Sequence, residues 1–228
     1  AHGSAMNLDL ATLHPRASLL QGWGGTLNMM QGLDASFKAA FLVGYHAGGH
    51  NPKGAMSHTF LTAFAGVRIN GQWINETGIA ALCAAPMGVP IVFLSGDDQA
   101  CREALDQIPG ITTASVKKSL GRDMTESLSL EGAALLLKAQ VALALRAKAP
   151  QPKFGPPYTV EVRFNEKAYS PSVFEALSHT LQGEPQFKLD YELRAVSFHA
   201  PDAEVFMHRF FLLVQVTMGV GALLKEME

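Results

Sequence analysis

Two short apolar runs, residues 39–45 (Ala-Ala-Phe-Leu-Val-Gly-Tyr) and 90–95 (Pro-Ile-Val-Phe-Leu-Ser), constrain this chain more than any other feature. Continuous apolar runs of this length, stopped by glycine, are expected of strands buried on both faces, and such strands need helices beside them. Two segments fit that need. Residues 76–85 are closed by Pro86-Met87-Gly88, and residues 98–108 by Pro109-Gly110. Strand, helix and strand in alternation predict an α/β fold, a layered and mostly parallel sheet flanked by helices. Residues 67–74 carry Asn70-Gly71 between two β-prone segments, the strongest short-range hairpin signal. Glu76 then stands just past that hairpin, at a helix start.

Further along, Ser129 is placed to cap a long Ala/Leu helix reaching about residue 148. Residues 150–157 (Pro-Gln-Pro-Lys-Phe-Gly-Pro-Pro) form the densest Pro/Gly cluster and the best domain boundary. The expected organisation is a metal-binding α/β domain over 1–150 and a smaller α+β C-terminal domain over 151–228. Within the latter, residues 158–164 and 191–199 read as strands, 172–181 as a helix, and a final helix starts near 202. The apolar run 210–224 contains Gln215 and Thr217 and falls short of the ~20 residues that span a bilayer, so it reads as a buried helix. No internal repeat or low-complexity tract is visible. The opening Ala1-His2-Gly3-Ser4 lacks an initiator Met, and the N-terminus, with its first strand, is expected to be incomplete.

Composition narrows the partners. With 18 basic and 20 acidic side chains the net charge is -2, which leaves no electrostatic footprint for nucleic acid or an anionic membrane and favours small, weakly charged substrates. Cys83 and Cys101 match no CxxC spacing and read as free thiols in a reducing cytoplasm. There is no HExxH, no GxSxG elbow and no GxxxxGK[ST] loop, and the Gly22-Trp23-Gly24-Gly25 stretch lacks the third glycine and preceding strand of a dinucleotide fingerprint.

Four residues, His2, His46, His58 and Glu76, lie in Gly-rich or small-residue settings rather than on regular apolar faces. Imidazole nitrogens and a carboxylate are the ligands zinc takes when it must also keep a position open. Each has a plainer explanation. His46 sits at a strand's C-terminal end, where α/β proteins place binding groups, but a loop histidine held by hydrogen bonds fits as well. Nothing local assigns His58 to metal binding rather than proton transfer. Glu76 suits the first turn of a helix through the dipole alone. His2 precedes Gly-Ser-Ala-Met, which has the look of a cloning scar. His50 reads as solvent-facing, Asp97 as a helix N-cap, and His14, His179, His199 and His208 as surface or packing histidines.

Taken together, the chain resembles the D-aminopeptidase family of zinc metallopeptidases, peptidase family M55. The matching pieces are Ala1-His2-Gly3 with Met6-Asn7-Leu8, Leu13-His14-Pro15, Met30-Gln31-Gly32-Leu33-Asp34, Phe41-Leu42-Val43-Gly44-Tyr45-His46-Ala47, Met56-Ser57-His58-Thr59, Asn75-Glu76-Thr77-Gly78 and the stretch from Val89 to Asp98, all in one order at compatible spacing. The resemblance implies a site of two zinc ions with His2, His46 and Glu76 as ligands and His58 as catalytic nucleophile or base. It implies hydrolysis of N-terminal D-amino acids such as D-Ala from short peptides or amides. It also implies a large ring-shaped homo-oligomer, such as a decamer, whose sites face an internal chamber. One departure stands out: the family's first strand carries an Asp-x-Glu pair of ligands upstream of the histidine matching His2, and this sequence begins after it. Two other readings stay open, a non-catalytic peptide-binding or assembly protein of the same fold, and a metal-dependent amidohydrolase acting on another small amide.

Overall fold

The computed structural model describes residues 8–22, 25, 27–166 and 170–226. In chain order the strands and α-helices are β1 (Ala40–Tyr45), β2 (Phe64–Ile69), β3 (Gln72–Ile74), α1 (Glu76–Ala84), β4 (Ile91–Asp97), α2 (Asp98–Gln107), β5 (Thr112–Gly121), β6 (Met124–Ser127), α3 (Leu130–Ala144), β7 (Tyr158–Phe164), α4 (Ser170–Leu181), β8 (Lys188–Asp190), β9 (Ala195–Ala200) and α5 (Ala203–Glu226). They build two sheets. One has the order β1-β4-β5-β6 and is parallel except for its last pair; the other, β3-β2-β7-β9-β8, is antiparallel throughout.

β4 is the central parallel strand, and every one of its residues is buried, as its unbroken apolar run predicts. β1 departs from the same expectation. Only Leu42 is buried in it, Phe41 and Gly44 are exposed, and Val43 is 61% exposed. The reason is its place in the sheet: it pairs with β4 on one side and with no other described strand, and an edge strand is less fully enclosed than a central one.

The hairpin forms as its Asn-Gly requires. Asn70 and Gly71 both take positive φ (52° and 80°), the geometry of the two-residue turn that matches strand twist, and Val67 pairs with Ile74. Asn75 then caps α1, its side chain accepting from the backbone N–H of Thr77 and Gly78. α1 contacts β3, β4, α2 and α5, and all nine of its residues are buried. Asp97 caps α2 in the same way, accepting from Gln99 and Ala100.

The segment over 150–157 links α3 to β7. β7 continues the sheet that β2 and β3 begin, so strands from both sides of the proline cluster share one hydrogen-bonded sheet. Where one strand was expected over 191–199, residues 191–194 form a turn, with Asp190 accepting from the Leu193 N–H, and only the remainder is strand, β9; β8, just before the turn, pairs with it. β5 and β6 were not foreseen, because their side chains are mostly polar and exposed and carry no apolar run. α5 is long and apolar enough, by length and composition, to cross a membrane. In this fold Phe206, Phe210 and Leu213 on one side of it are buried in the core with Tyr158 and Phe198 of the antiparallel sheet, while Leu212, Met218 and Leu223 stay exposed.

Candidate metal centre

The two sheets meet at the site. The chain leaves the C-terminal end of β1 directly into His46, and the first residue of α1 is Glu76; His58 comes from the loop that joins β1 to β2. His46 and Glu76 are buried, and His58 is half-buried. The Glu76 carboxylate oxygen Oε1 lies 3.7 Å from His46 Nε2 and 3.8 Å from His58 Nε2. The two imidazoles stack with centroids 3.9 Å apart.

Backbone carbonyls set the orientation of both rings. His46 Nδ1 is 2.9 Å from the Ala47 carbonyl, and His58 Nδ1 is 2.6 Å from that of Met56. A carbonyl only accepts, so each Nδ1 carries a proton, and in the neutral ring the lone pair lies on the Nε2 that faces Glu76. This is the tautomer a metal-binding histidine adopts. Burial, and then the neighbouring His46, hold the His58 imidazole below its ordinary pKa, so that it is neutral at pH 7; the Met56 carbonyl and Glu76 oppose this and Arg122 reinforces it.

Glu76 is anchored from the opposite side by the backbone N–H of Phe60, which donates to Oε1 at 2.8 Å. Phe60 holds a positive φ of 61° and Met56 one of 50°, conformations sparsely populated for non-glycine residues and typical of backbone fixed by its surroundings at a functional site. The fixing is visible. The Phe60 ring packs on Phe210 and Phe211 of α5, while the β5–β6 hairpin grips the loop of His58. There the Met56 N–H donates to the Arg122 carbonyl, Arg122 Nη1 to the Ser57 carbonyl and Ser119 Oγ to the Lys53 carbonyl.

The donor set fits a zinc ion. Ligands at ~2.0–2.1 Å from one ion lie at most about 4.2 Å apart. The two Glu76 pairs are inside that limit, and all three ligand atoms lie within 4.8 Å of one another. The geometry does not separate His46 from His58, since both present Nε2 to the same oxygen at nearly the same distance. His2 lies outside the described residues. Of the other histidines, His14, His179, His199 and His208 are on the surface, with His199 bonded to Thr159. His50 is a correction: it does not face solvent but stacks on Trp73 at 5.1 Å, because the Gly48-Gly49 turn folds it inward. Cys83 and Cys101 are free and buried, and burial pushes their thiols up to about 12 and about 11.

One buried carboxylate near the site was missed. Glu103 lies on α2 in the same inward stripe as Ala100, Ala104 and Gln107, at the i, i+3 and i+4 spacing that would have identified it.

Comparison with known proteins identifies relatives of the chain. A family model described as D-aminopeptidase, peptidase M55, matches residues 1–190. A D-aminopeptidase of Bacillus subtilis (strain 168) is 36% identical over 157 residues, covering 69% of this chain and 57% of the relative; the chain thus spans little more than half of that relative's length. Among solved structures, the Zn-dependent D-aminopeptidase DppA from Bacillus subtilis, described as a self-compartmentalizing protease, superposes with a TM-score of 0.82 at 29% identity over 94% of this chain and 76% of that one.

Proposed function

The chain belongs to the D-aminopeptidase family, peptidase family M55, and on that premise we propose that it is a zinc-dependent aminopeptidase that removes N-terminal D-amino acids, D-alanine among them, from short peptides or amides. The observation that carries this reading is the convergence of two Nε2 atoms, each with its Nδ1 held by a backbone carbonyl, on one buried carboxylate oxygen. In this reading His46 and Glu76 hold zinc, His2 joins them, and the site takes two ions when its ligand set is complete. Zinc supplies Lewis acidity, polarising a peptide carbonyl and acidifying water. His58, neutral and half-buried, serves as base or nucleophile: its unprotonated Nε2 accepts a proton or attacks, and the Met56 carbonyl stabilises the imidazolium formed on protonation.

The assembly proposed is a ring-shaped homo-oligomer, such as a decamer. Its support is an apolar exterior that a lone subunit leaves wet: Leu130, Leu135 and Leu143 on α3, and Val43 on β1. All described site residues precede Pro150, which supports reading 1–150 as the metal-binding part and 151–228 as a smaller part completing the antiparallel sheet. Two free buried thiols suit a reducing cytoplasm. The test is hydrolysis of D-alanyl and L-alanyl p-nitroanilide with zinc and with a chelator. Zinc-dependent cleavage of the D form is expected; indifference to the chelator, or preference for the L form, overturns the proposal.

A further inference from the structure

A second buried carboxylate, outside the candidate ligand set, is bonded to the segments that carry it. Glu103, on α2, is 9% exposed, and both of its oxygens are engaged. Oε2 accepts from the backbone N–H of Gly48 at 2.9 Å and from Asn75 Nδ2 at 2.8 Å; Oε1 accepts from Asn51 Nδ2 at 2.8 Å. These partners belong to two chain segments. Gly48 and Asn51 lie in the turn that follows His46, whereas Asn75 immediately precedes Glu76 and caps its helix. A single oxygen atom therefore ties the backbone two residues past one candidate ligand to the residue before the other.

The packing around this link leaves little slack. A Cβ on Gly48 would lie 2.7 Å from the His50 ring and 3.0 Å from Asn75 Cβ, so the turn passes the cap of α1 at the distance only glycine allows. Among the described residues the carboxylate also has no full positive charge within ion-pair distance. His50 Nε2 is 3.8 Å from Oε1, but burial and Arg68 hold that imidazole down to about 4, so it is neutral at pH 7. Burying a carboxylate without a cation is costly, and burial raises the Glu103 pKa against the three hydrogen bonds that lower it. An apolar residue would pack the interior of α2 at less cost; what it lacks is the ability to join the two loops.

We propose that Glu103 is the positioning residue of this site: through Gly48 and Asn75 it sets the separation of His46 and Glu76 at the value that holds the ion. The proposal rests on the metal reading above. Outer hydrogen bonds that fix ligands in this way contribute about 10–100-fold to metal affinity.

The experiment is zinc affinity, by competition with a chromophoric chelator, alongside thermal unfolding of the metal-free protein, for the wild type, Glu103→Ala, Glu103→Gln, Glu103→Asp and His46→Ala. Glu103→Gln can keep its amide oxygen at the Oε2 position, with the half-buried Asn51 turning its own amide to match at the expense of the exposed Lys53 N–H bond, and stays within about 3-fold of wild type. Glu103→Ala loses about 10–100-fold at a temperature well below its own melting point. A merely structural role gives a different pattern, with a lowered melting point and unchanged zinc affinity in the folded alanine variant; that result overturns the proposal. If the alanine variant does not fold, Glu103→Asp decides, since it keeps the charge but is one methylene too short to reach both segments: weakened zinc binding supports the proposal and wild-type binding overturns it. Wild-type protein that takes up no more zinc than His46→Ala overturns the metal reading, and the positioning role with it.

Discussion

α1 and α3 are both apolar on nearly every side, yet they have opposite fates. In α1 all nine residues are buried; in α3 Ala144 alone is, and Leu130 is 93% exposed. Composition does not distinguish them, but their positions do. α1 leaves the antiparallel hairpin and passes against β4, so it has a sheet element on two sides and α2 and α5 on others. α3 lies against the parallel sheet on one side only, with Leu136, Leu137 and Val141 over Val92, Phe93 and Ala114. An all-round apolar helix signals burial on all sides. Within the described subunit only α1 receives it, and α1 is the one that carries Glu76.

The largest effect that would sharpen this contrast is expected at Ile79, fully buried in α1. Ile79→Asp places an unpaired charge in the core and should cost more than about 4 kcal/mol, leaving no cooperative unfolding transition in urea. A folded variant would break the comparison outright. Next is the site that α1 supports. His58→Ala should lower D-alanyl p-nitroanilide hydrolysis by about 10²–10⁴-fold, the usual contribution of an acid–base group, while zinc content by atomic absorption and the melting point stay near wild type. Loss of zinc together with activity would move His58 into the ligand set, which its distance to Glu76 equally permits.

On α3 the expected outcome is smaller and of another kind. Leu135→Asp should change the stability of the isolated subunit by no more than about 0.5 kcal/mol, as at other exposed positions, but shift the sedimentation profile toward smaller species. An unchanged profile removes α3 from the assembly surface. The smallest effect concerns His50, whose pKa is depressed from 6.5 to about 4 by burial and then by Arg68, with Trp73 and Glu103 as its other neighbours. A base with a lowered folded pKa is protonated first in the unfolded chain. Stability is therefore untouched by this group above pH 6.5 and declines as pH falls from 6.5 toward 4. In His50→Gln the drop in melting temperature over that window should be shallower than in wild type.

The parts of the fold that were legible in the sequence are those whose signal is local. The Asn70-Gly71 turn, the Asn75-Glu76 helix start, the Asp97 cap and the unbroken apolar β4 each declare themselves within a few residues. Of the four candidate site residues, His46, His58 and Glu76 lie together in the fold, and His2 lies outside the described residues. The arrangement of those three was not legible. That one Glu76 oxygen meets both Nε2 atoms depends on Phe60 at positive φ, held by rings from α5 some 150 residues away. Exposure of β1 was hidden for a similar reason, since an apolar run states what a strand can tolerate and not where in a sheet it lies. β5 and β6 gave no signal because a polar, exposed edge hairpin resembles a loop. His50 and Glu103 were misjudged or passed over because their partners are remote.

The carbonyl bonds that hold His46 and His58 bear on what it would cost to fill the site. Each ring is oriented by a neighbour one or two residues away, and Glu76 by the Phe60 N–H, so both Nε2 atoms and the Glu76 oxygen are held close together by the fold itself. A site built this way loses little side-chain freedom on loading. A metal bound here would find its ligands already arranged, and folding would have met the cost of arranging them.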